Sequence, residues 1–88
     1  MSYEIDFLKQ ALKDYEKIKQ NAGLKKIVKK LLTKLEENPL SLPYEKLSGN
    51  LAGAYSKRIN IKHRLVYRID EDKKLVRVLS MWSHYENV

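Results

Sequence analysis

The stretch Tyr55-Ser56-Lys57-Arg58-Ile59-Asn60-Ile61-Lys62-His63-Arg64-Leu65-Val66-Tyr67-Arg68-Ile69 decides the fold. Over 55–61, Tyr55, Lys57, Ile59 and Ile61 alternate with Ser56, Arg58 and Asn60, and over 63–69, His63, Leu65, Tyr67 and Ile69 alternate with Arg64, Val66 and Arg68. A repeat of two is the strand period, because successive side chains leave a strand on opposite faces. Two consecutive strands are predicted. If Leu65, Tyr67 and Ile69 pack on a core, Arg64 and Arg68 are sent to the far face and share an open surface. Tyr67 is read as a packing residue, and His63 as structural by its parity.

Downstream, Asp70-Glu71-Asp72-Lys73 makes a polar hairpin turn, and Leu75 to Trp82 a final strand running into Ser83, His84 and Tyr85. Upstream, Leu40 to Ala54 follows Pro39 and holds Pro43, Ser48, Gly49, Asn50 and Gly53, and reads as loop. Earlier still the period changes. Leu24, Ile27, Val28, Leu31, Leu32 and Leu35 fall at helical spacing with lysines opposite, ending near Asn38 and Pro39. Leu8, Ala11, Leu12, Tyr15 and Ile18 form another such stripe, ending near Asn21 to Gly23. At the start, Tyr3, Ile5 and Phe7 alternate with Ser2, Glu4 and Asp6, an edge strand with one buried face. The order predicts an α+β fold: an N-terminal strand, an α-helical hairpin, then a mainly antiparallel sheet of about four strands covered by the helices.

With 88 residues the chain has room for one core, so residues 1–88 are expected to form a single domain. No apolar run is long enough to cross a bilayer, and the first residues carry acids where a secretory signal carries bases. No membrane partner and a cytoplasmic location are expected. The absence of cysteine excludes disulfides and thiolate chemistry, and two histidines make a poor metal site, so no metal or other cofactor is expected. The net charge of +7 is unevenly spread: residues 44–69 hold six bases and one acid. All four arginines lie in the second half, and their planar forks match phosphate oxygens, which points to a polyanionic partner.

Against that basic background, four polar residues, Glu45, Arg64 and the pair His84 and Tyr85, have the chemistry of ribonucleotide cleavage. A carboxylate such as Glu45 can take the proton of a ribose 2′-hydroxyl, Arg64 can hold charge gathering on phosphate, and the His84 imidazole can protonate a departing 5′-oxygen. Glutamate ionises near pH 4 and histidine near 6.5 when unperturbed, so the acid needs its pKa raised, by the phosphate itself in this scheme.

The run from Glu45 through Lys46, Leu47, Ser48, Gly49 and on to Tyr55, Ser56, Lys57, Arg58 and Ile59, the strand His63-Arg64-Leu65-Val66-Tyr67 and the His84-Tyr85 pair together resemble the YoeB/Txe-type toxins of the RelE/ParE superfamily. The resemblance implies a RelE-like, microbial-RNase-like fold and a toxin that inhibits translation by cutting mRNA in the A site of the small ribosomal subunit. It implies Glu45 as general base, Arg64 as phosphate-stabilising residue, His84 as general acid, Tyr85 as an orienting aromatic and Arg58 as a basic residue near the scissile phosphate. Lys46, Lys57 and Arg68 are the further candidates for contacts to RNA. The implied partners are a partly disordered YefM/Axe-like antitoxin, mRNA on the ribosome and, by analogy, a second copy of the chain. A ParE-like toxin without nuclease activity, or a basic binding module of the same fold, is the alternative. After Tyr85 the chain continues through Glu86, Asn87 and Val88, where the family pattern ends at or near His-Tyr; a carboxylate there raises an imidazole pKa, and an inward tail obstructs substrate.

Overall fold

The computed structural model describes residues 2–82. Strand β1 (Glu4–Phe7) leads into helices α1 (Lys9–Ile18) and α2 (Ala22–Glu37), followed by β2 (Glu45–Lys46), a 3₁₀ turn at Gly49–Leu51, β3 (Tyr55–Arg58), β4 (Arg64–Asp70) and β5 (Leu75–Ser80). The strands form one sheet in the order β1-β5-β4-β3-β2, with β1 parallel to β5 and every other pair antiparallel. The α+β class and the edge position of β1 agree with the sequence reading. No helix among the described residues is long and apolar enough to cross a membrane.

The helices form because their apolar residues repeat at helical spacing, and the start of α2 is marked by a cap. Asn21 caps α2 by accepting the Leu24 amide at 3.2 Å, satisfying one of the donors a helix start leaves open. Their stripes cover one face of the sheet. Ala11, Ile18, Val28 and Leu35 meet Ile59, Leu65, Tyr67, Val76, Val78 and Met81 in the main core. Where α1 meets the end of β5 lies Asp14, which is buried and accepts the Met81 amide at 2.9 Å and the Gln10 side-chain amide at 2.9 Å.

Three details depart from the sequence expectation. The sheet has five strands rather than about four, because Glu45 and Lys46 leave the expected loop and pair with Ser56 and Tyr55. Two residues are too few to display a period. The strand expected over 55–61, β3, ends at Arg58 rather than Ile61, because the Asn60 side chain accepts the amides of Lys62 and His63 (2.8 and 2.7 Å) and closes a turn. Finally, the far face of β4 is only partly open. Val66 sits between Arg64 and Arg68 and is buried under Leu47 and Ala54, with Leu51 and Leu79 beside them, as a second small core.

Candidate active site

Register places the site. On the face away from the helices, Glu45 lies opposite Ser56, Ser56 opposite Val66, and Arg58 opposite Arg64. Glu45 and Arg64 are 19 residues apart in sequence, yet the Glu45 Oε1 and the Arg64 Nε stand 3.9 Å apart. That is an ion pair without a hydrogen bond between these two atoms. Arg64 is the enclosed partner, with 14% of its side chain exposed against 58% for Glu45. Its Nη1 donates to the Asn60 carbonyl at 3.2 Å, so the same turn that ends β3 also holds the guanidinium. The Arg64 Nε makes no hydrogen bond among the described residues.

An open cleft of about 330 Å³ lies here, lined by Pro43, Tyr44, Glu45, Ser56 and Arg58. One exposed carboxylate and two cross-strand guanidiniums beside a cleft provide a proton acceptor and a cradle for a phosphate. Tyr44 meets Tyr55 edge-on at 5.5 Å between ring centroids, and Tyr55 stacks on Tyr67 at 5.8 Å, which ties the wall of the cleft to the core beneath.

The other sequence candidates fall in different places. Arg68 is on the same face, and its Nη1 donates to the Ala52 carbonyl at 3.1 Å, bracing the segment that covers Val66. Lys46 is exposed but pairs with Tyr55, so strand parity turns it from Glu45 to the other face of the sheet. Lys57 does not fit the expectation of a contact to RNA. It is 2% exposed and on the helix-side face, where its ammonium donates to the Ser41 carbonyl (2.6 Å), the Pro43 carbonyl (3.1 Å) and the Ser41 hydroxyl (3.4 Å). Burial, and secondarily the charge of Lys34, pull its pKa below the usual lysine value. His84 and Tyr85 lie outside the described residues. Just before them, Trp82 stacks on His63 at 4.0 Å between ring centroids, and its carbonyl contacts the His63 Nδ1. A carbonyl can only accept, so that nitrogen carries the proton. The structural reading of His63 and the packing reading of Tyr67 both hold.

Sequence reasoning passed over Tyr44 and Ser56. Ser56 shares the parity of Arg58 and was legible as a member of that face, whereas Tyr44 reaches the cleft only through the pairing of β2, which has no sequence signature.

The model of the YoeB-like toxins of bacterial type II toxin-antitoxin systems matches residues 7–85. No curated protein sequence matches the chain. Among solved structures, the YoeB/ParE toxin from Agrobacterium tumefaciens superposes with a TM-score of 0.86 at 26% identity, covering 93% of this chain and 99% of that one. The toxin of the YoeB-YefM complex from Staphylococcus aureus gives 0.80 at 36% identity, covering 97% and 100%. YafQ from E. coli, at 21% identity and a TM-score of 0.80, shares the fold, covering 97% of each chain. A five-stranded sheet in this order with two helices on one face is thus the scaffold of a RelE-superfamily toxin. The chain belongs to the YoeB-like toxins of type II toxin-antitoxin systems.

Proposed function

We propose that the protein is a ribosome-dependent endoribonuclease that stops translation by cutting mRNA in the A site. The observation that carries the reading is the Glu45 carboxylate held beside Arg64, with Arg58 opposite Arg64, at a cleft on the face away from the core. Glu45 removes the proton of a ribose 2′-hydroxyl. The 2′-oxygen attacks the adjacent phosphorus while Arg64 and Arg58 hold the charge gathering on the phosphoryl oxygens, and the bond to the 5′-oxygen breaks. His84 gives that oxygen its proton, leaving a 2′,3′-cyclic phosphate and a 5′-hydroxyl, and Tyr85 helps orient the substrate. The cyclic product can open to a 3′-phosphate. No metal or other cofactor is called on. Arg68 is the further contact to RNA, at the border of the covered patch. Because ribosomes supply the substrate, the site of action is the cytoplasm.

The partner in this reading is a YefM/Axe-like antitoxin, partly disordered until bound. A solved relative from Staphylococcus aureus is a YoeB-YefM complex, and another is a YoeB dimer, which supports a second copy of this chain as an additional partner. Primer extension on a defined message in a purified translation system tests the chemistry. Cuts within A-site codons are expected from the wild type, and they should fall by about 10²-fold or more in Glu45→Ala and in His84→Ala, the usual worth of a general base or acid. Arrest without cuts would favour a non-nucleolytic toxin, and cuts unchanged in both variants would move the site elsewhere.

A further inference from the structure

Beneath the cleft, two polar side chains on the core side of the sheet reach the same short segment. Lys57 donates to the carbonyls of Ser41 and Pro43, and the Tyr67 hydroxyl donates to the Pro39 carbonyl at 2.7 Å. Both donors are buried. The segment they hold, residues 39–43, delivers the chain to β2, and β2 is only two residues long. Such a strand has little ladder of its own; beyond its pairing with β3, the Leu47 amide donates to the Ala54 carbonyl at 3.0 Å.

Register makes Lys57 central. Its neighbour Ser56 pairs with Glu45 and its neighbour Arg58 pairs with Arg64, so Lys57 stands between the two rows that carry the ion pair. Burying an ammonium is unfavourable unless it is well bonded, and an apolar side chain could fill the same volume without that cost. The lysine makes its charge-assisted bonds with the approach to Glu45.

We propose that Lys57 is a positioning residue, whose buried ammonium clamps the Ser41 and Pro43 carbonyls and so sets where Glu45 stands relative to Arg64. This rests on the reading of Glu45 as the general base. Carboxylate placement matters because about an ångström of misplacement can cost on the order of 10²-fold in rate.

The test compares wild type, Lys57→Met, Lys57→Arg and Glu45→Ala in the translation system, together with amide hydrogen exchange of the free toxin. Lys57→Met, which keeps the volume and removes the donors, should lower the maximal cutting rate by roughly 10²-fold with little change in KM. Lys57→Arg should restore most of the rate by rebuilding the clamp. In the free Met variant, exchange at Leu47 should rise by about tenfold while core amides of β4 and β5 keep their protection, the signature of local loosening. Should the Met variant fail to fold, Lys57→Gln, with a donor on a shorter arm, is read by the same criteria. An unchanged cutting rate in the Met variant beside an inactive Glu45→Ala overturns the clamp and leaves the base intact. If Glu45→Ala cuts normally, the base assignment fails; exchange at Leu47 then decides the clamp, and unchanged exchange overturns it.

Discussion

Replacing Tyr67 by Phe removes one oxygen from the centre of the core and tests two properties of the structure together. The phenol is fully buried and donates to the Pro39 carbonyl at 2.7 Å. Without it that carbonyl loses its buried donor, while the ring still fills its space against Tyr55, so the cost is the hydrogen-bond penalty of about 1–3 kcal/mol rather than that of a cavity. In a domain of this size the melting point should fall by on the order of 5–15 °C, and the urea midpoint by about 1 M. The pH dependence carries the second signature. Burial first, then the neighbouring Tyr44 and Tyr55, push the Tyr67 pKa well above the ordinary tyrosine value near 10. Above about pH 10 the unfolded chain releases this proton and the folded chain keeps it, so wild-type stability falls with rising pH by up to about 1.4 kcal/mol per unit. The Phe variant lacks this loss. Urea titrations of both proteins from pH 7 to 11.5 should therefore show the gap closing by one to two pH units above 10. A gap below about 0.5 kcal/mol at pH 7 would refute the buried hydrogen bond, and one constant to pH 11.5 would refute the burial of the phenol.

Two further substitutions probe separate joints of the fold. Asp14→Asn places an amide donor among groups that now donate to a carboxylate, the Met81 and Gln10 nitrogens, and should cost about 1–3 kcal/mol in thermal unfolding. Gly53→Ala meets a backbone φ of +90° and a new Cβ only 3.0 Å from the Arg68 guanidinium. A loss on the order of 1–3 kcal/mol is expected by urea unfolding, of which pairing with Arg68→Ala should recover only the steric part.

How much of this was written in the sequence depends on the range of the interaction. The alternation in 63–69 correctly assigned Leu65 and Tyr67 to the core and Arg64 and Arg68 to the far face, because parity is a property of neighbours along one strand. The same parity put Lys57 in a row with Tyr55 and Ile59. Its charge nevertheless suggested RNA, since the acceptors that stabilise it lie 14 and 16 residues upstream. The roof over Val66 was equally invisible, because Leu47 and Ala54 come from a segment without a period. At the site, Glu45 and Arg64 were legible as residue types suited to the chemistry. Their approach to 3.9 Å was not, for it requires β2, whose two residues give no local signal.

The pairing of β1 with β5 has a consequence for the timing of synthesis. Asp6 and Arg77, 71 positions apart, meet across this parallel pair at 3.2 Å. Contacts of such sequence separation form late and slowly compared with helices or hairpins. The helices and the β3–β4 hairpin can assemble as the chain is made, and the Tyr3 amide can bond the Glu36 carbonyl of α2, but β1 has no strand to pair with until β5 has been translated and has cleared the ribosome. The sheet edge of the nascent polypeptide thus stays unfinished until β5 emerges to pair with β1.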